Sequence, residues 1–390
     1  MRFTHPDGST LHLAYCTNVH GAETLDAVIA QLGAYCEPVR RHLDTPRLGV
    51  GLWLARDAAT ALAASPAALA HLRGELERRS LEVVTLNGFP YQGFGAASVK
   101  YRVYRPDWTE PARLDYTLDL ARILAALLPD DVGEGTISTL PLGWHTAVDA
   151  TARHTCRTAL TTLAGSLDQL QQDTGRSVRI AVEPEPGCAV ETTADAVDAL
   201  ADLPAHRIGV CLDTCHLATA FEEPAAALAR LHTAGIDVVK AQLSAALHAP
   251  TPADPAVRTA LAAFDEPRFL HQTRARHGTL LHASDDLGPA LNGTALPDDV
   301  PWRSHFHVPL HAPPAPPLTS TTAVLKDALA ELAGGRHPRC HHLEVETYTW
   351  QALPPALRPA DDAALAAGIA AELALARDWL TDLGCKEQQP

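Results

Sequence analysis

Glu183 and Glu185 follow the apolar run Ile180, Ala181 and Val182, and the two-residue period of a strand puts both carboxylates on one face. Two readings stand: a paired-carboxylate site, or a salt bridge for Glu183 with a loop beginning at Glu185. Asp213 ends GVCLD and His216 follows three residues later, so a hard oxygen and an imidazole can face the same mouth. That donor pair suits Mn, Co, Zn or Mg, with decreasing reliance on nitrogen, while the plainer role for Asp213 is a helix cap. His305 and His307 flank Phe306, a spacing that in an extended segment sets two imidazoles on one side, able to hold one metal. A His-rich surface loop would look the same. Glu344 and Glu346 repeat the same-sided acidic pattern, and Glu346 lies nearer the carboxyl end of its run.

Further along, Asn18, His20, Asn87, Thr139 and Trp144 stand where apolar runs end, as polar groups suited to a sugar or other polyhydroxylated ligand. Lys240 and Gln242 share one face of their run. Lys240 can form a Schiff base, hold a substrate anion, or simply pair with an inward carboxylate. The segment 87–108 adds Phe89, Tyr91, Phe94, Lys100, Tyr101, Arg102, Tyr104 and Trp108. Its aromatics can stack on a ligand and its cations can hold an anion, or the segment can pack over a rim by its own side chains. No Walker loop, glycine-rich dinucleotide fingerprint or Gly-x-Ser-x-Gly elbow is present, which demotes P-loop chemistry, hydride transfer and serine hydrolysis.

These residues fall at the ends of short apolar, β-branched runs, so the elements must converge on them. The runs are 11–18, 48–54, 81–88, 134–142, 178–187, 207–215, 237–244 and 341–349. Helical patterns alternate with them near 22–43, 57–80, 110–128, 146–173, 192–203, 222–234, 320–333 and 361–383, with Ser320 or Thr321 and Asp361 as cap candidates. Eight strands each followed by a helix is the stoichiometry of a closed (β/α)8 TIM barrel, whose active site forms at the carboxyl ends of the strands. An open doubly wound sheet is the alternative. The stretch 245–319 breaks the rhythm: eight of the 30 Pro fall between Gly288 and Leu318. It reads as an elaborated loop or lid between strands seven and eight of one domain spanning 1–390, with 268–278 a helix or lid segment and 304–310 a short extra strand.

Composition narrows the class. With 390 residues, 46% hydrophobic and 20% charged, the chain can bury a full core, and a net charge of −15 argues against a nucleic-acid partner. Eight Cys, scattered singly apart from Cys211 and Cys215, point to a reducing compartment. With no apolar leader in MRFTHPDGST and no span-length apolar run, the expectation is a cytoplasmic protein without a membrane span, able to form an oligomer.

The ensemble Glu183, Asp213-x-x-His216, Gln242 and Glu346 resembles the xylose-isomerase-like TIM barrels, the superfamily of sugar-phosphate isomerases, epimerases and endonucleases of the endonuclease-IV type. More narrowly, AYCTNVH, VTLNGFPYQGF, VKYRVYRPDW, STLPLGW, EPEPG, CLDTCH, FLHQT, FHVPL and LEVETYTW are together similar to the EboE group of metabolite traffic proteins. The resemblance implies a divalent metal (Mn, Co, Zn, Fe or Mg) held by Glu183, Asp213 and Glu346, with Gln242 where the superfamily usually has His. It places His305 and His307 in the loop that carries a second-metal pair in some members, with His216 joining them. It further implies an isomerase or epimerase acting on a small sugar-like molecule or secondary-metabolite precursor, with Glu183 and Glu346 doubling as the acid–base pair. Asn18, His20, Asn87, Trp144, Glu185 and Lys240 are then the candidates for substrate contact. Metal-dependent phosphoester hydrolysis and a noncatalytic carrier are the other readings.

Overall fold

The structure, a computed structural model, describes residues 1–388. Eight parallel strands form its centre: β1 (Thr10–Cys16), β2 (Leu48–Trp53), β3 (Leu81–Glu82 and Thr85–Asn87), β4 (Glu134–Thr139), β5 (Ser177–Val182), β6 (Ile208–Asp213), β7 (Val238–Leu243) and β8 (His342–Val345). Each pairs with its sequence neighbour, and β1 pairs with both β2 and β8, so the sheet closes into a barrel rather than opening as a doubly wound sheet. All eight runs read from the sequence supply a strand, although the third is interrupted at Val83 and Val84.

The surrounding helices follow their caps. Thr24, Asp149, Thr192 and Asp361 each accept a backbone N–H from the first turn that follows, satisfying a donor that the helix cannot. Thr321 does not cap in this way: its hydroxyl instead accepts the N–H of Ala246. The pattern at 57–80 is two helices, Arg56–Ala64 and Pro66–Arg78, because Pro66 cannot continue a helix but starts one well, with Ser65 as its cap.

The stretch 245–319 is more regular than an elaborated loop. It holds a five-stranded antiparallel sheet of Leu247–Ala249, Thr273–His277, Leu280–Ser284, Trp302–Ser304 and Thr319–Ser320, with helices Pro255–Ala262 and Leu287–Asn292. Within residues 268–278, expected as a helix or lid, Thr273–His277 form a hairpin strand with Leu280–Ser284 instead. The expected extra strand over 304–310 is shifted to Trp302–Ser304, and residues 305–308 run extended alongside it, His305 N–H donating to the Gln272 carbonyl. Each of these strands is only two to five residues long, too short to show a two-residue alternation in the sequence. Among the described residues, no helix is long and apolar enough to cross a membrane.

Inside the barrel, charge replaces the usual aliphatic filling. Lys240 of β7 and Glu344 of β8 are both fully buried and pair at 3.0 Å, while the ammonium also approaches Ser138 Oγ and the Leu86 carbonyl at 3.3 Å. Gly51 on β2 makes the room, since a Cβ there would lie 1.5 Å from Glu344 Oε2. Removing one member of a buried pair strands the other charge, so Lys240→Met is expected to lower the unfolding free energy by about 3–5 kcal/mol. The double variant Lys240→Met/Glu344→Gln is expected to recover most of it. Urea denaturation of the three proteins checks this, and a single variant as stable as the parent would refute the assignment.

Candidate metal centre

At the carboxyl ends of the strands, Asp213 serves two purposes. Its Oδ1 accepts the His216 N–H at 2.9 Å, capping the short helix Thr214–Thr219, and the Ser244 hydroxyl at 2.7 Å. Its Oδ2 has no partner and lies 3.9 Å from His307 Nε2. The cap reading and the ligand reading of Asp213 are therefore compatible, one oxygen serving each.

Three imidazoles stand at this mouth, His216 and His307 grouped with Asp213 and His305 beside them, and their protons can be assigned. His216 Nδ1 lies 2.8 Å from the Pro184 carbonyl and His307 Nδ1 lies 2.7 Å from the Glu346 carbonyl; a carbonyl only accepts, so both rings donate there. His305 Nδ1 lies 2.8 Å from Gln272 Oε1. That amide is oriented by its other end, whose Nε2 donates to Tyr104 Oη at 2.7 Å and the Pro186 carbonyl at 2.9 Å. Every ring thus turns an Nε2 lone pair inward, that of His305 lying 3.4 Å from the Tyr348 hydroxyl. Yet His216 Nε2 and His305 Nε2 face each other at 3.0 Å, and His307 Nε2 is buried without a partner. Two lone pairs at that distance repel unless a proton is shared between them or a metal cation lies beside them. Rings tied at Nδ1 and bare at Nε2 are what metal ligation requires.

Phe306 holds this arrangement in place. It packs against Phe264 and His271 with ring centroids 5.1 and 4.6 Å away, which fixes the residues on either side of it with their imidazoles facing the barrel mouth.

Beside the imidazoles stand the acids. Oxygens of Glu183, Asp213 and Glu346 lie within 4.8 Å of one another. Glu346 Oε1 accepts the amide N–H groups of Asn18 at 2.8 Å and Asn87 at 2.9 Å, while Glu183 Oε2 has no partner. Burial, reinforced by Glu346 and Asp213, holds Glu183 well above the ordinary carboxylate range. Burial together with Asp213 and Glu344 pushes Glu346 up to about 8. Burial also pushes Glu185 up to about 7, although Tyr104 donates to its Oε1 at 2.7 Å. Burial in turn holds His305 well below its usual value and His307 down to about 4. Glu183 and Glu346 are therefore held toward their protonated form and His305 and His307 toward the neutral imidazole, and a divalent cation would bring the two acids to their ligating form.

A cavity of about 510 Å³ opens over this floor, lined among others by Asn18, Asn87, Glu183, Glu185, His216, His305, Glu346 and Tyr348. The structure does not bring every candidate there. Lys240 lies below the floor with Glu344. His20 stacks on Tyr35 at 4.2 Å and bonds the Tyr15 hydroxyl at 3.1 Å, away from the lining. Trp144 packs over Gly187, whose Cβ would strike its ring at 2.2 Å, and lies against Tyr104 at 4.8 Å, so it supports the rim. Gln242 is fully buried, in register with Asp213 and Glu344, with neither amide atom hydrogen-bonded.

Sequence reasoning passed over Gln272, which orients His305, and Tyr348, whose ring stacks near His307 at 4.7 Å. Gln272 lies outside the barrel strands, where strand-end position could not mark it, and Tyr348, although inside the run 341–349, sits in the 3-10 turn after the strand.

A family model described as a xylose isomerase-like TIM barrel matches residues 49–254. Among solved structures, a xylose isomerase-like TIM barrel protein from Mycobacterium smegmatis in complex with magnesium is 12% identical, with a TM-score of 0.50 over 95% of this chain and 98% of that one. The IOLI protein with a bound zinc atom is 13% identical, with a TM-score of 0.47 over 96% and 99%. A D-tagatose 3-epimerase-like protein is 15% identical, with a TM-score of 0.39 over 60% of this chain and 75% of that one. No curated protein matches the chain.

Proposed function

The chain belongs to the xylose isomerase-like TIM barrel family, and from that footing we propose that it is a divalent-metal-dependent isomerase or epimerase of a small polyhydroxylated metabolite. The observation that carries the metal is the facing pair of ring nitrogens, His216 Nε2 and His305 Nε2, 3.0 Å apart with both Nδ1 positions tied down, beside the unpartnered Nε2 of His307. Asp213, His216, His305, His307, Glu183 and Glu346 are the donors, and Mn, Co, Zn or Fe suits a set containing three imidazoles better than Mg does. A bound divalent ion supplies polarisation of adjacent substrate oxygens, which acidifies the carbon between them.

The chain's own groups supply the rest. Glu183 and Glu346, with raised proton affinities, carry a proton between carbon or oxygen positions of a bound substrate. Asn18 and Asn87 hold one oxygen of Glu346 and so aim the other. Phe89, Phe94 and Phe269 wall the cavity and keep water from the reacting centre.

A second reading, noncatalytic binding and traffic of a metabolite of the EboE kind, is favoured by Gln242, a neutral amide without partners among the ligands. Phosphoester hydrolysis draws on the same donors at two metal positions. The eight Cys, all buried as free thiols, support residence in the cytoplasm.

Elemental analysis of protein purified without chelator or metal-affinity tag tests the metal, with one or two equivalents expected, lost in Glu183→Gln/Asp213→Asn. Turnover of ketose and aldose panels by the loaded protein tests the reaction, and Glu346→Gln is expected to lower it roughly 10²–10⁴-fold. Protein that neither holds nor responds to divalent ions would overturn the reading. Tight ligand binding without turnover would favour traffic.

A further inference from the structure

A thiol stands beside the imidazoles. Cys215 packs against Ala218 and Ala246, and its sulfur lies within 4.8 Å of ligand nitrogens of both His305 and His307. Any buried Cys fills such an apolar gap, so the sulfur alone says little. The second observation is His307, fully buried, with its Nδ1 proton donated to the Glu346 carbonyl and its Nε2 lone pair without a partner.

We propose that Cys215 is a metal ligand, its thiolate joining His305 and His307 in a nitrogen–sulfur position beside the all-carboxylate position of Glu183, Asp213 and Glu346. The inference rests on the metal-dependent reading above and deepens it by separating two positions of different chemistry. Three carboxylates make a hard position that suits Mg or Mn; a thiolate with two imidazoles makes a softer one that selects Zn or Co. Asp213 stands close to both, since it also groups with His216 and His307. On binding, the S–H bond breaks, its proton leaves to solvent and a metal–sulfur bond forms, with no change of oxidation state. Backbone contacts already fix the Cys215 main chain, whose N–H donates to Ser244 Oγ at 2.9 Å, so the ligand is delivered by the same turn that delivers His216.

Cobalt reports sulfur directly, because a thiolate bound to Co²⁺ gives an intense near-ultraviolet charge-transfer band that nitrogen and oxygen ligands do not. Chelator-treated full-length protein titrated with Co²⁺ is expected to develop this band within the first two equivalents. Cys215→Ser and Cys215→Ala are expected to lose it and to weaken zinc retention by about tenfold or more. Cys211→Ala, which removes a buried barrel thiol outside the metal groups, is expected to keep it. Cobalt bound without the band, or a band unchanged in both Cys215 variants, would overturn the assignment while leaving metal dependence intact. Protein that takes up no cobalt at all would overturn both.

Discussion

Glu183→Gln is expected to make the metal-free protein more stable and the metal-loaded protein less so, inverting the order of the two proteins. Without metal, Glu183 shares a buried site with Asp213 and Glu346, and burial plus their charge holds its proton affinity well above that of an exposed carboxylate. A folded value raised above the unfolded one stabilises only at low pH. That contribution is complete below the unfolded value near 4.5 and is lost as pH rises through the folded value. At neutral pH the unfolded chain gains by ionising Glu183, and Gln removes that gain. The variant should therefore be more stable by about 1–3 kcal/mol at pH 7.5 in chelator, with the difference shrinking toward pH 4.

Metal reverses the sign. A ligand present at about a thousand times its dissociation constant stabilises the folded state by roughly 4 kcal/mol, and a variant without the carboxylate forfeits most of that. Thermal unfolding of both proteins, each with chelator and with zinc, gives four melting temperatures. If Glu183→Gln melts below the parent in chelator, the carboxylate is not strained by its neighbours, and its assignment as a waiting ligand fails.

The barrel was legible because its signal is repetitive: eight apolar runs, each followed by a helical period, match the stoichiometry of a closed barrel, and the pairing of the first strand with the eighth decides against an open sheet. Strand-end position likewise exposed Asp213, Glu183 and Glu346, since carboxylates are rare where a strand meets the core. Depth was not legible. Lys240 and Gln242 share a face at a period of two, but one residue pair along a strand is about 7 Å: Gln242 stands in register with Asp213 and Glu344, while Lys240 sits two residues deeper and its ammonium reaches up to Glu344 at 3.0 Å. His20 shows the same limit at a loop: its position after β1 says nothing about which way a 3-10 turn will face it, and it turns outward onto Tyr35. Gln272 depends on a contact across the inserted sheet to His305, a pairing between residues 33 apart that no local pattern encodes.

Metal affinity is expected to climb steeply with pH up to about 8 and more gently beyond. The step concerns Glu346, which burial and the neighbouring Asp213 and Glu344 push up to about 8. Below that value it is protonated in the metal-free protein, so binding a cation must expel the proton, and each expelled proton changes the apparent affinity about tenfold per pH unit. His307, held down to about 4, is already neutral and adds no slope above pH 5. Glu183, which burial also holds well above the ordinary carboxylate range, adds slope of the same sign. The bend can be moved. Asn18 donates to Glu346 Oε1 at 2.8 Å and favours its charged form, so Asn18→Ala is expected to shift the bend upward and weaken binding most near pH 7. Competition against a chelator of known affinity at half-unit pH intervals measures both curves. A flat profile between pH 6 and 8 would mean that Glu346 is not displaced from its proton by the ion, and the acid–base pair would then have to be sought in Glu183 and Glu185 instead.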